Sequence, residues 1–481
     1  MRLPCLDLDD AHALSHDLSM PASPPVWRNR SPGDLSIELE EVRADDGHAV
    51  VGNAVNAAAA WRRAPLVEKI VRMKAAQQDI ADAKDRLARG IAIETGKPLT
   101  EALGEVGAVI AKIDLTIEDA KRYLAEENRL GGPHAAIVRR RARGPAAVIA
   151  PFNFPLHLGH GANVAHLLAG NPVIFKPSPL CANVAADYGA IMAAAFPAGV
   201  FNVLQGGATE GEELCMDGRV RSVCFTGSAV VGRALAKALA GDLSKDLALE
   251  LGGVNAAIVC ADADIARAAS AAAEGACLTA GQRCNATARV IVERSAAAEF
   301  EQRFVEALAA FQPGDPLSLT TKLGPLISTS AVARYEKRCA EISGEWLVPG
   351  KVEPVVAGKR GCHVHPAVVR RADDGRDDVE CFVPIVSIFI VDDLDHALRI
   401  HNATPFGLTA SVFTRSEAKF RGLGEHLDVG NLYANLPTTF SPSTLPFGGL
   451  RASGNGRPGG RGFIRFTTDE QAVQWTGFDE G

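Results

Sequence analysis

From Gly144 onward the sequence alternates short apolar runs with helix-length amphipathic stretches, and this alternation narrows the fold more than any other feature of the chain. Ala146–Ala150, Pro172–Lys176, Val200–Leu204 and Val220–Phe225 read as strands; helices follow Pro155, near Ala182–Ala195 and from about Val230 to Leu239. A second series places strands at Ala256–Cys260, Ala288–Val292 and Pro384–Val391, with helices at Ile265–Ala276 and Ser295–Phe311. Strands separated by helices of this length build βαβ units and parallel sheets. At 481 residues the chain exceeds what one core supports, and two α/β units joined near Gly252-Gly253 fit length and pattern.

The remainder is less regular. Residues 1–35 are expected to be irregular, because Pro21-Ala-Ser-Pro-Pro25 breaks helices. Helical periodicity covers about Gly47–Ala60, Pro65–Gly96 and Leu99–Leu130. The run Ile137–Arg143, with its arginines at 139, 140, 141 and 143, reads as a solvated strand or hairpin edge. A formal charge of −7 argues against a general nucleic-acid binder, which needs a basic face. The N-terminal segment lacks the basic start and apolar run of a secretory signal, and no apolar stretch is long enough to span a bilayer. The expectation is a cytoplasmic protein without membrane or nucleic-acid partners.

Ten cysteines are scattered singly, with no zinc-type spacing, so no metal site is expected. One of them has suggestive neighbours. In Gly281-Gln-Arg-Cys284 a glycine turn and an adjacent cation would favour a thiolate. Upstream, Glu250-Leu-Gly-Gly253 puts an acid at an apolar strand end, where burying a carboxylate costs several kcal/mol in rough terms unless it is paired or used. Such a carboxylate can deprotonate water beside a thioester. Pro151-Phe-Asn-Phe-Pro155 fixes an asparagine at another strand end, where its amide suits an oxyanion; an ordinary Asx turn is the plainer reading. Phe225-Thr-Gly-Ser228, with Gly232 one turn into the next helix, offers free N–H groups and a dipole end to a pyrophosphate. Lys176 follows a strand at a place where a ribose hydroxyl could be held.

With these segments in order, joined by Glu380-Cys-Phe-Val-Pro384 and by PFGG and SGNGR within 446–457, the chain resembles the aldehyde dehydrogenase superfamily over nearly its whole length. The resemblance implies Cys284 as nucleophile, Asn153 with the Cys284 backbone N–H as oxyanion donors, and Glu250 as the base for deacylation. It implies Lys176 at the adenosine ribose, Gly227, Ser228 and Gly232 at the pyrophosphate, and Glu380 and Phe382 at the nicotinamide ribose and ring. The fold implied is a Rossmann-like cofactor domain (1–125 and 144–252), an α/β catalytic domain (253–445) and a small β oligomerisation hairpin (126–143). That hairpin would pair with the tail of a return segment (446–481), and a homodimer or homotetramer is expected.

Within the superfamily, the runs at 151–158 and 434–458 most resemble the succinylglutamate-semialdehyde dehydrogenase subfamily of arginine breakdown. A dicarboxylate substrate would need cations, for which Arg283, Arg289 and His157 are candidates. The chain departs from the common family pattern at Val383, usually glycine, at Pro179, often an acid, and at Phe152, often tryptophan. NAD is favoured over NADP, which stays open. So do another semialdehyde such as glutamate semialdehyde, CoA as acyl acceptor, and a catalytically silent cofactor-binding relative.

Overall fold

The computed structural model describes residues 24–131, 134–373, 375–376 and 379–477. The expectation of an irregular segment before residue 24 lies outside the described residues. From residue 24 that expectation fails. Val26–Trp27, Arg30–Ser31 and Asp34–Glu38 are short strands, the first pairing with Val42–Arg43 and the other two with each other.

Four helices follow: α1 (Gly47–Arg63), α2 (Leu66–Asp82), α3 (Lys84–Thr95) and α4 (Leu99–Tyr123). The helical stretch expected over Pro65–Gly96 is broken at Ala83, whose φ/ψ of −89°/4° leaves the helical range. The third helix ends at Tyr123 rather than Leu130, because the chain then pairs as β1 (Glu127–Gly131) with β2 (His134–Ala142). The basic run is not an edge. β2 is the middle strand of a three-stranded sheet, and Arg140 and Arg139 face Glu470 and Gln471 of its other neighbour.

Next come β3 (Ala146–Ile149), α5 (His157–Ala169), β4 (Val173–Lys176), α6 (Ala182–Ala195), β5 (Phe201–Val203), α7 (Ala208–Met216), β6 (Ser222–Thr226), α8 (Ala229–Leu239) and β7 (Asp246–Glu250). The second unit comprises β8 (Asn255–Val259), α9 (Ile265–Cys277), β9 (Thr287–Glu293), α10 (Arg294–Leu308), α11 (Thr329–Glu341), β10 (Glu345–Val348), β11 (Ala367–Arg371), β12 (Ile385–Val391), α12 (Leu394–Asn402), β13 (Thr409–Phe413), α13 (Glu417–Gly424) and β14 (Asn431–Ala434). β15 (Gly454–Asn455) and β16 (Thr468–Trp475) close the chain.

The first large sheet runs β15-β7-β6-β3-β4-β5, parallel except at β15. Read from β5, its parallel strands have the 3-2-1-4-5 order of a doubly wound sheet, so strand order reverses between β3 and β6. Ligands bind outside the strand carboxyl ends at such a switch point. The second sheet runs β10-β11-β12-β9-β8-β13-β14, with an antiparallel edge at β10. Both sheets are mixed only at an edge, and both carry apolar cores on their two faces. The fold class is therefore α/β with parallel sheets. Among the described residues no helix is long and apolar enough to cross a membrane.

Candidate active site

The loops that follow β3, β4, β6 and β7 open into one cleft, whose far wall comes from the second unit. Its lining includes Asn153, Lys176, Gly227, Ser228, Glu250, Cys284, Glu380 and Phe382. The structure thus brings eight of the nine sequence-derived site residues to one cavity.

The ninth, Gly232, lies outside that lining. It is buried in α8, and a Cβ there would lie 2.5 Å from Leu251 Cδ2. It permits close packing of the helix on the sheet and does not line the cleft. Gly227 and Ser228 do reach the cleft, with the Ser228 Oγ capping α8 by accepting from Val231 N at 3.3 Å.

Cys284 is delivered by a strained turn. Thr279 and Ala280 both have φ of 53°, and Gly281 follows at 72°. Left-handed backbone is costly for the two non-glycine residues, of order 1–3 kcal/mol each, and persists only where surroundings enforce it. At Gly281 a Cβ would also lie 2.6 Å from the Val383 carbonyl carbon, so this turn is wedged against the Glu380–Pro384 loop. Asn255 anchors the following backbone: its Nδ2 donates to the carbonyls of Cys284 (2.8 Å) and Ala286 (2.9 Å). Asn153 Nδ2 donates to Gln282 O at 2.9 Å, tying the Pro151–Pro155 turn to the same loop.

The electrostatics differ from the sequence expectation of a thiolate favoured by Arg283. Burial pushes the Cys284 thiol well above its ordinary value, and the Glu250 and Glu380 carboxylates push it further; Arg283 opposes them only last. The resting thiol is neutral. Arg283 is committed elsewhere, donating to Glu101 Oε2 (2.7 Å) and Thr279 Oγ1 (3.0 Å).

Glu250 ends β7 with 2 % exposure, and its Oε1 has no hydrogen-bond partner. Burial raises its carboxyl to about 7, with the facing Cys284 thiol pulling it back down. Glu380 is raised to about 8 by burial, against a bond from Gly253 N to its Oε1 (3.1 Å), with Glu250 raising it further and Arg334 lowering it. Lys176 Nζ donates to Gly206 O at 2.7 Å, and burial lowers it to about 8. Phe382 is left-handed, with φ of 57°, and meets Phe152 edge-on at 5.9 Å.

None of the proposed substrate cations offers a charge to the cleft. Arg289 is 1 % exposed and donates to the carbonyls of Ile400, Val254 and His401. Burial lowers His157 to about 4, so it is neutral near pH 7. Sequence reasoning missed Arg334 of α11, which lines the cleft and donates from Nε to Cys381 O at 3.2 Å. It missed Asn255, although an asparagine opening an apolar strand was a usable signal. It also missed Glu210, whose Oε2 accepts from Gly207 N at 2.6 Å and whose charge acts on Lys176.

A cleft at the switch point of a doubly wound sheet, walled by Cys284, the buried Glu250 and the half-buried Glu380, fits a dinucleotide-dependent oxidoreductase. The family profile described as "Aldehyde dehydrogenase family" matches residues 26–473. The chain belongs to the aldehyde dehydrogenase family and is an NAD(P)-dependent oxidoreductase acting on aldehydes. It is 34 % identical over 448 residues to N-succinylglutamate 5-semialdehyde dehydrogenase 1 of Caulobacter vibrioides, covering 91 % of this chain and 93 % of that one. The crystal structure of the aldehyde dehydrogenase KauB from Pseudomonas aeruginosa matches with a TM-score of 0.89 at 28 % identity, over 94 % of this chain and 93 % of KauB. Glyceraldehyde-3-phosphate dehydrogenase GapN from Methanocaldococcus jannaschii, solved with NADP, matches with a TM-score of 0.85 at 26 % identity, over 93 % and 99 % of the two chains.

Proposed function

We propose that this enzyme oxidises N-succinylglutamate 5-semialdehyde to N-succinylglutamate with NAD, through a thioester on Cys284. The observation that carries the mechanism is Glu250: a buried carboxylate facing the thiol, with one oxygen unpartnered and an affinity for protons centred near neutrality. A group of that kind can take a proton at pH 7 and release it again.

The cleft fits a dinucleotide. Gly227 and Ser228 present the start of α8 to it, where free N–H groups and the helix dipole favour a pyrophosphate. Lys176 would hold the adenosine ribose, with Glu380 and Phe382 at the nicotinamide ribose and ring. When bound, the nicotinamide supplies the hydride acceptor. Glu210 supports NAD over NADP, because its carboxylate beside Lys176 opposes a 2′-phosphate.

In this reading the Cys284 thiol releases its proton to solvent and its sulfur adds to the aldehyde carbon as the thiolate. The Asn153 amide and the Cys284 backbone N–H hold the oxyanion that forms. Collapse of the adduct expels hydride and leaves a thioester. Glu250 then takes a proton from the attacking water, the C–S bond breaks, and the acid departs while the Glu250 proton returns to the Cys284 sulfur. This role for Glu250 favours water over CoA as the acyl acceptor.

The substrate rests on the named relative and on the sequence run at 434–458. We read 1–125 with 144–252 as the cofactor unit and 253–445 as the catalytic unit. Segments 126–143 and 446–481 form the oligomerisation arm of a cytoplasmic homodimer or homotetramer, supported by the three-stranded sheet of β1, β2 and β16. A steady-state screen of ω-semialdehydes with NAD, NADP and added CoA tests the assignment. The highest kcat/KM is expected for the succinylated substrate with NAD, giving free acid. A clear preference for another aldehyde, or formation of acyl-CoA, would refute it.

A further inference from the structure

Two acids on the first turns of α4, Glu101 and Glu105, take no part in the chemistry above, yet both turn inward. Glu105 is 3 % exposed, and its Oε1 accepts from the backbone N–H groups of Leu156 and His157, each at 3.1 Å, just beyond the turn that carries Asn153. Its Oε2 pairs with Lys97 Nζ at 2.5 Å, and that ammonium lies 3.6 Å from the centre of the Phe154 ring. Glu101 reaches the opposite loop. Its Oε1 accepts from Thr279 N (3.1 Å), and its Oε2 accepts from Thr279 Oγ1 (2.8 Å) and Arg283 Nη2 (2.7 Å). The Arg283 guanidinium lies 5.0 Å from the same Phe154 ring. One aromatic ring, next to Asn153 in the chain, is therefore held by two cations, and each cation is anchored on an acid of the same helix.

Stability alone is a weak reason for this arrangement. Desolvation offsets most of the attraction in a buried ion pair, so apolar packing would serve as well. Geometry is a better reason. Thr279 opens the left-handed turn that delivers Cys284, a conformation that needs outside support, and Glu101 binds both its N–H and its hydroxyl. The Asn153 turn on the other side is held by Glu105 through two backbone bonds.

We infer that Glu105, Lys97, Phe154, Arg283 and Glu101 form a clamp that sets Asn153 against Cys284, making Glu101 and Arg283 positioning residues for thiol addition. The inference rests on Cys284 being the nucleophile. None of the five lines the cofactor cleft, so the clamp governs the acylation step and leaves cofactor affinity alone.

The test is the pre-steady-state burst of reduced cofactor from the full-length enzyme, comparing wild type with Glu101→Gln, Arg283→Gln and the double variant. Cofactor Kd and unfolding temperature are measured alongside. Each single variant is expected to slow the burst about tenfold or more, since small misplacements of reacting groups are expensive. The double variant should be no slower than the worse single one, with cofactor Kd unchanged, and Glu101→Asp should recover part of the rate. Phe154→Leu, which keeps both ion pairs, should slow the burst in the same way. A normal burst in Glu101→Gln, losses that multiply in the double variant, or losses that track cofactor Kd and unfolding temperature would overturn the clamp. Turnover persisting in Cys284→Ala would instead overturn the assignment beneath it.

Discussion

Replacing Glu250 by glutamine separates the two halves of the reaction. The side chain ends β7, is 2 % exposed, and titrates near 7 because burial disfavours its charge. At pH 8 about nine-tenths of the enzyme then carries the ionised base, and at pH 6 about one-tenth. Glutamine keeps the shape and loses the ability to accept a proton. Loss of a general base costs about 10²- to 10⁴-fold in rate, or roughly 3–5 kcal/mol. That loss should fall on thioester hydrolysis. Stopped-flow absorbance at pH 8 should show about one equivalent of reduced cofactor per active site, then a steady rate lowered at least about 100-fold. The wild-type kcat should fall as pH drops through about 7, because protonation removes the base; the variant should lack this limb. A steady-state rate within a few-fold of wild type, or an unchanged pH limb, would refute the reasoning.

Cys284→Ala should abolish turnover while cofactor titration by fluorescence stays near wild type; residual turnover would move the nucleophile elsewhere. NAD should accelerate alkylation of Cys284 by iodoacetamide near pH 8, because a cationic nicotinamide opposes the burial and the two carboxylates that keep the thiol protonated. Equal rates with and without NAD would contradict that account. A methyl group at Gly252 would collide with Glu380 Oε2, so Gly252→Ala should raise the KM for cofactor with little change in stability. Gly232→Ala should do the reverse. Crowding Leu251 should cost about 1–3 kcal/mol in urea unfolding with cofactor affinity kept; weakened cofactor binding alone would place Gly232 at the pyrophosphate.

The sequence carried the alternation of β3 through α8, apart from α7, because their apolar runs and helix stripes are local signals, and the strand starts there fall within two residues of the structure. Those segments fix the doubly wound order and hence the cleft. Glu250 stood out as an acid at an apolar strand end, and Cys284 and Asn153 by the glycine- and proline-bounded turns around them; the structure brings all three to one cleft. Charge was not legible. Arg283 and Arg289 are ordinary cations in sequence, but one is captured by Glu101 and the other by three backbone carbonyls, partners far away along the chain. The same limit hid the neutral state of the Cys284 thiol, which depends first on burial and then on two carboxylates brought in by β7 and by the loop before β12. Position β2 was misjudged because a basic strand looks like an edge until the acidic face of β16 is placed beside it.

The central claim is that the acyl group is carried by the sulfur of Cys284, and peptide mass mapping tests it most directly. Glu250→Gln is mixed with aldehyde and NAD, quenched in acid and digested. The account predicts one acyl adduct, on the peptide containing Cys284. Cys381 lines the same cleft and provides the internal contrast. An adduct there, or full reduction of one equivalent of cofactor with no adduct on any cysteine, would contradict the account.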